Sequence, residues 1–240
     1  MRIDVYLANK GLASSRTEAK SFIESGAVTV NGRVISKPSF SVADTDEVTL
    51  DRSSKKYASR GGLKLEFALQ SFNINVTGKK CLDVGASSGG FTDCLLKFGA
   101  ERVIAVDSGS GQLIDSLRSD GRVFVIENYN ARYMKSNDLA YVPDLAVMDV
   151  SFISATHIIP AIYACLSQGG EFVCLIKPQF EVGRAHVGKG GIVKDEKARD
   201  AAVRTVVDFA GNVGFVHIGT VTSPITGTDG NIEYLAYFKK

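Results

Sequence analysis

No stretch of this 240-residue chain approaches the apolar run of roughly 20 residues that a helix needs to cross a bilayer. The opening Met1-Arg-Ile-Asp4 lacks the apolar centre of a signal peptide. A cytoplasmic protein without stable membrane association is therefore expected. The four cysteines, Cys81, Cys94, Cys165 and Cys174, form no C-x-x-C pair and lie inside apolar patterns, so they read as reduced core residues. None of His157, His186 and His217 has a Cys or carboxylate at ligand spacing, and no metal site is expected. Internal repeats and low-complexity tracts are missing too. Net charge is only +2, but residues 1–60 hold ten Lys and Arg against seven Asp and Glu, and the remainder eighteen against nineteen. A bias of that size usually means a solvated surface, so the pattern inside the segment matters more than its sum.

The most informative run is Lys80-Cys-Leu-Asp-Val-Gly-Ala-Ser-Ser-Gly-Gly-Phe91, a buried strand that breaks into a glycine loop and then a helix. Gly85 ends the strand, and Gly89 and Gly90 open the helix, as a loop approached closely by a nucleotide-like ligand requires. The spacing differs from the G-x-G-x-x-G of pyrophosphate binders. Asp83 at the loop's mouth would repel a pyrophosphate and attract an ammonium or sulfonium. S-adenosylmethionine carries both, and is the expected cofactor. Asp107 closes the apolar run Arg102-Val-Ile-Ala-Val-Asp107 about twenty residues on, where a carboxylate can accept from ribose hydroxyls. The alternative is a tight glycine turn with no ligand.

The first 42 residues read as two helices, Asp4 to Gly11 and Ser14 to Gly26, followed by β-rich runs around the hairpin signal Asn31-Gly32. Arg16 and Lys20, four apart, share one face of the second helix, where they can meet a phosphate backbone or merely face solvent. The string Arg2-Ile-Asp4, Gly11-Leu-Ala-Ser-Ser-Arg16, Ala19, Ile23, Gly26-Ala-Val-Thr-Val-Asn-Gly32 and Lys37-Pro38 resembles an S4 RNA-binding domain. The polar stretch Asp51 to Ser59 suits a linker.

From Arg60 onward helices and strands alternate. Strands are expected at 80–84, 102–107, 122–127, 144–149, 171–177, 215–221 and 233–238, with helices at 63–72, 90–98, 111–119, 154–167 and 194–210. That is an α/β fold with a mostly parallel seven-stranded sheet. The last two strands have no helix between them and should pair antiparallel, the arrangement of class I methyltransferases. Asp149 and Lys177 end adjacent strands at the ligand-binding edge, and Glu233, starting the antiparallel last strand, falls at the same edge. Lys64 lies on the helix feeding the first strand, and geometry alone does not select it. Two lysines and two carboxylates facing a sulfonium suit transfer to a poor nucleophile such as a ribose hydroxyl. Lys177 is read as the base, Asp149 and Glu233 as orienters, and Lys64 as electrostatic partner. A second ammonium and burial favour loss of the Lys177 proton, whereas the carboxylates oppose it.

Nearly the whole chain resembles the TlyA family, often labelled haemolysin A, which joins an S4 domain (here 1–59 with its linker) to an FtsJ-like methyltransferase (60–240). The resemblance rests on Ser59-Arg-Gly-Gly-Leu-Lys64-Leu, Asp83-Val-Gly-Ala-Ser-Ser-Gly-Gly-Phe-Thr-Asp93, Gly111-Gln-Leu113, Asn130-Ala-Arg132, Asp149-Val-Ser-Phe-Ile-Ser154, Lys177-Pro-Gln-Phe-Glu181, Gly188-Lys-Gly-Gly-Ile-Val193 and Gly230-Asn-Ile-Glu233. It implies a Lys-Asp-Lys-Glu tetrad, Lys64, Asp149, Lys177 and Glu233, for 2′-O methylation of cytidine ribose in ribosomal RNA. The resemblance implies that shorter members are restricted to the large subunit, and this chain is short, so the large subunit is the expected substrate and the small subunit stays open as a second one. The expected cofactor residues are Asp83, Gly85, Ala86, Ser87, Gly89, Gly90, Phe91, Asp107, Asn130 and Asp149. The expected RNA contacts are Arg2, Arg16, Lys20, Arg60, Arg184 and Lys189. After Asp107, Ser108-Gly-Ser110 replaces the family's more common Val-Gly-aromatic. The loop Glu181 to Val193 reads either as a mobile substrate lid or as a plain connection. Two other classes stay open: a membrane-active cytolysin, suggested by the haemolysin label, and a ribosome-binding factor without catalysis.

Overall fold

The amino-terminal residues fold around apolar positions spaced for helices. In α1 (Ile3–Asn9) Ile3 and Leu7 are buried, and in α2 (Arg16–Glu24) Ala19, Phe22 and Ile23 are buried. The Ser15 side chain caps α2 by accepting from the Glu18 N–H at 3.1 Å. Strands β1 (Val28–Val30) and β2 (Arg33–Val34) pair antiparallel across Asn31 and Gly32, both at positive φ (50° and 77°), as a two-residue hairpin turn demands. A third strand, β3 (Val48–Leu50), joins the other side of β1. The sequence reading does not contain it, because three residues among acids are too short to declare a strand.

The computed structural model describes residues 1–13, 15–51, 56–227 and 229–240. Ser14, at the start of the second expected helix, Arg52 to Lys55 of the expected linker, and Thr228 lie outside the described residues. The described end of that linker is packed: Tyr57 and Ala58 are buried, and the Ala58 N–H donates to Asp93 Oδ2 at 2.8 Å. The Lys56 and Lys97 ammoniums lie over the Tyr57 ring, at 5.7 and 5.1 Å from its centroid. Burial of the Tyr57 ring is what holds this end of the segment in place.

The larger sheet contains β4 (Lys80–Val84), β5 (Arg102–Val106), β6 (Val123–Ile126), β7 (Leu145–Met148), β8 (Glu171–Ile176), β9 (Val216–Thr222) and β10 (Tyr234–Lys239), in the order β6-β5-β4-β7-β8-β10-β9. β4 to β8 are parallel, and β10 runs antiparallel between β8 and β9. One face is covered by α3 (Gly61–Ser71) and α4 (Gly90–Lys97), the other by α6 (Ile159–Cys165) and α8 (Glu196–Val213). Alternation along β4 sends Cys81 and Leu82 into opposite cores. Because the chain leaves β4 toward β5 on one side and β7 on the other, a crevice opens at the carboxyl edge of β4.

Two expected helices are shorter than the sequence pattern. The 111–119 segment is helical only in α5 (Asp115–Arg118), since Gly111 is left-handed and Ile114 extended. The 154–167 helix divides into a 3₁₀ turn at Ala155–His157 and α6, with Pro160 in the first turn of α6, where its missing N–H has no helical partner to lose. The short α7 (Pro178–Glu181), directly after β8, was not expected.

Candidate active site

A cavity of about 640 Å³ opens at that crevice, within the range typical of small-molecule sites. Its floor is the loop after β4. Gly85 has φ +87°, and a Cβ there would sit 2.2 Å from the Asp149 carbonyl oxygen, so only glycine lets the loop cross β7 so closely. Gly89 (φ +98°) caps α4 where a Cβ would meet Leu117 at 2.3 Å. Gly85, Ala86, Ser87, Gly90 and Phe91 line the cavity; Gly89 shapes the loop from behind. Asp107 lines it too, accepting from the Ser87 N–H at 2.8 Å and the Gly109 N–H at 2.7 Å. Its carboxylate thus ties the glycine loop to the end of β5 while staying open to the cavity. Asn130 stands opposite, its Oδ1 accepting from the Arg132 N–H at 3.1 Å.

Asp83 differs from the expectation that it stands at the mouth. Strand alternation turns it toward α4, where it is fully buried, accepts from the Thr92 hydroxyl at 2.6 Å and does not line the cavity. Its other oxygen, Oδ1, has no partner among the described residues. Burial pushes its pKa up to about 7, with the nearby Asp149 charge adding to the rise and the Thr92 hydrogen bond opposing it.

All four tetrad residues line the same cavity, as two ion pairs. Lys64 Nζ lies 2.5 Å from Glu233 Oε2, both side chains being buried. Lys177 Nζ lies 2.5 Å from Asp149 Oδ1 and donates a hydrogen bond to Ser151 Oγ at 2.8 Å. The antiparallel pairing of Tyr234 with Ile176 is what brings Glu233, one residue before β10, beside the end of β8. Burial pulls the Lys177 pKa down, but the charges of Asp149 and Glu233 outweigh it and hold the ammonium above its ordinary value. For Asp149 burial acts upward, and the Lys177 and Lys64 charges overcome it, leaving the carboxyl below its usual range. Of the two opposing influences read from sequence, the carboxylates prevail.

Sequence reasoning missed Phe152. It is 92% exposed at the cavity rim, holds φ +66°, a conformation costly for a bulky side chain, and packs on Phe180 with ring centroids 5.3 Å apart. No local signal marks a left-handed aromatic.

Helix α2 turns toward this cavity. Lys20 and Glu24 line it, the Thr17 hydroxyl donates to the Gly111 carbonyl at 3.2 Å, and the Ser21 hydroxyl donates to the Ala58 carbonyl. Arg60 also lines it, with Nη2 donating to the Thr226 carbonyl at 3.4 Å. Burial raises the Glu24 pKa against the opposing Lys20 and Arg60 charges. Arg2 and Arg16 are exposed but share the buried Asp4, at 3.0 and 2.9 Å, so their charge is partly neutralised. Arg184 and Lys189 are exposed on the loop after α7 and do not line the cavity. Among the described residues no group of three His, Cys, Asp or Glu side chains is disposed to hold a metal ion.

The FtsJ-like methyltransferase model matches residues 57–240 and the S4 domain model residues 1–48, so the cavity belongs to a methyltransferase joined to an S4 domain. An S-adenosylmethionine-dependent methyltransferase from Mesorhizobium loti, 15% identical over 72% of this chain and 96% of its own, and an Aeropyrum pernix fibrillarin holding S-adenosylmethionine, 18% identical over 82% and 80%, share the fold, each with a TM-score of 0.54. Hemolysin A of Brachyspira hyodysenteriae is 44% identical over 99% of both chains. The 16S/23S rRNA (cytidine-2′-O)-methyltransferase TlyA of Mycobacterium tuberculosis is 43% identical over 99% of this chain and 89% of its own. The structure of a hemolysin candidate from Streptococcus thermophilus superposes with a TM-score of 0.80 and 44% identity, covering 100% of this chain and 88% of that one. The chain belongs to the family of these TlyA and hemolysin A proteins.

Proposed function

We propose that this protein methylates the 2′-oxygen of a cytidine ribose in ribosomal RNA, with S-adenosylmethionine as methyl donor and the large subunit as its main acceptor. The observation that carries the reading is the meeting of two Lys-carboxylate pairs, Lys64 with Glu233 and Lys177 with Asp149, beside the glycine-loop cavity. In this reading residues 1–59 position RNA and residues 60–240 carry out transfer, with rRNA placing the reaction in the cytoplasm.

Three features fit the cofactor. Gly85, where a Cβ would strike the Asp149 carbonyl, lets the loop lie close against the end of β7 and floor the cavity, Asp107 offers carboxylate oxygens suited to ribose hydroxyls, and Asp83 Oδ1 is an unused buried acceptor behind the loop. Gly85, Ala86, Ser87, Gly90, Phe91, Asp107 and Asn130 would hold the adenosine and methionyl parts, with Gly89 and Asp83 acting from behind the loop and Asp149 facing the methyl. When bound, S-adenosylmethionine supplies an electrophilic methyl group.

The residues of this chain handle the acceptor. Neutral Lys177 takes the 2′-hydroxyl proton at Nζ, and Asp149 and Ser151 fix the direction of that nitrogen. Glu233 orients Lys64, whose ammonium stabilises negative charge developing on the attacking oxygen. Acid-base help of this kind contributes about 10²- to 10⁴-fold. Phe152 offers a face on which the cytosine stacks, while Lys20 and Arg60 hold phosphates at the rim.

The membrane-active reading rests on the names of relatives alone, and among the described residues no helix is long and apolar enough to cross a membrane. The deciding experiment offers labelled S-adenosylmethionine and the purified protein to separated ribosomal subunits from cells lacking this gene. Label entering 23S RNA is expected. Label in neither subunit overturns the reading, and label in 16S RNA alone overturns the choice of subunit.

A further inference from the structure

The chain leaves the catalytic edge at Lys177 and returns beside Glu233, and between them runs a loop whose two feet are tied by polar side chains. At the first foot Glu181 accepts from the Ser154 hydroxyl at 2.5 Å and the Ala155 N–H at 2.8 Å. At the second, Asn231 is 2% exposed and bonds the loop twice, accepting from the Val193 N–H at 3.0 Å and donating to the Gly191 carbonyl at 2.9 Å. Between the feet the chain is largely exposed and glycine-rich, with Gly190 and Gly191 at φ +79° and +78°. It carries Arg184, His186 and Lys189, none within ion-pair distance of an acid among the described residues. A plain connection needs neither buried amide clamps nor unpaired cations.

Asn231 also touches the segment that seats Glu233. Its backbone carbonyl accepts from the Gly227 N–H at 2.9 Å, and a Cβ on Gly227 would lie 2.5 Å from Glu233 Oε1. Asn231 therefore joins the basic loop through its side chain to the Glu233 segment through its backbone. We infer that Asn231 is a positioning residue, whose side-chain amide holds the 182–192 loop so that Arg184 and Lys189 contact backbone phosphates of the RNA strand beside the acceptor nucleotide. The nature of the ligand rests on the function proposed above; the clamp does not.

The test uses the full chain with Asn231→Ala, Arg184→Ala/Lys189→Ala, and the triple variant. In Asn231→Ala, loss of two hydrogen bonds, one buried and one partly buried, should speed trypsin cleavage after Arg184 and Lys189 about tenfold. It should raise the KM for ribosomal RNA about tenfold, leaving S-adenosylmethionine affinity and kcat at saturating RNA within about twofold. The triple variant should have the KM of the Arg184→Ala/Lys189→Ala chain, because Asn231 acts through those cations. An unchanged cleavage rate overturns the clamp. A loss in kcat with KM intact, or multiplied KM effects in the triple variant, overturns the positioning role. Wild-type protein that methylates no RNA overturns the phosphate contact, while the trypsin rates still judge the clamp. If Asn231→Ala does not fold, Asn231→Asp, which keeps the acceptor for Val193 and loses the donor to Gly191, carries the same comparisons.

Discussion

Lys177 and Asp149 end neighbouring parallel strands with Nζ and Oδ1 2.5 Å apart, and this pairing keeps the lysine protonated more firmly than an isolated one. A base must shed that proton before it can act, so kcat should climb with pH into the alkaline range. Removing the Asp149 charge leaves burial, which lowers the Lys177 pKa, as the main remaining influence. The Asp149→Asn variant should thus reach its lower plateau at lower pH than the wild type, as read from single-turnover rates across pH.

Lys177→Ala should retain S-adenosylmethionine binding and lose methyl transfer by about two orders of magnitude or more. Calorimetric cofactor titration and initial rates check the two halves separately. Wild-type turnover would remove Lys177 from the reaction.

Asp83 sets a second pH dependence. An acid whose pKa folding has raised is accommodated best when protonated, so its contribution to stability falls as pH climbs from the ordinary carboxylate range to about 7. Asp83→Asn should flatten that part of the stability profile and raise the melting temperature at pH 8. Thermal melts of the two proteins between pH 5 and 8 test both effects.

Phe152→Ala should lower kcat/KM for RNA roughly 5- to 150-fold, the range corresponding to ~1–3 kcal/mol of base stacking, with cofactor affinity unchanged. Phe152→Tyr should retain most of the activity. Equal losses in the two variants would show that the ring does not serve as a stacking platform.

Lys20→Glu with Arg60→Glu should lower the slope of log K against log salt by roughly two, one for each lost phosphate contact. Arg16→Ala should have a smaller effect, since Arg16 already shares Asp4 with Arg2. Filter binding of ribosomal RNA over a salt series measures each slope.

Much of this site is legible in the chain because it is written in local pattern. The glycine loop, the carboxylate ending β5 and the two residues ending β7 and β8 follow from strand period and motif, and the missing helix before the last strand places Glu233 at the same edge. Asp83 is different: period two says that it alternates with Leu82, but only the packing of α4 shows that its side is sealed. The turn of α2 into the cavity wall is a contact between residues far apart in sequence, which spacing on one helix cannot disclose. The Lys177 proton balance hung on distances, since burial and carboxylates act in opposite directions. Phe152 was hidden because nothing in Asp149-Val-Ser-Phe-Ile-Ser154 announces a positive φ at the aromatic.

The most direct measurement is the chemical identity of the methylated nucleoside. Ribosomal subunits from cells lacking this gene are incubated with the protein and labelled S-adenosylmethionine, and the RNA is digested to nucleosides and resolved by mass spectrometry. The tetrad geometry predicts label in 2′-O-methylcytidine, and no transfer to a fragment whose acceptor nucleotide is 2′-deoxy. Label on a base, or continued methylation of the deoxy fragment, would contradict the account.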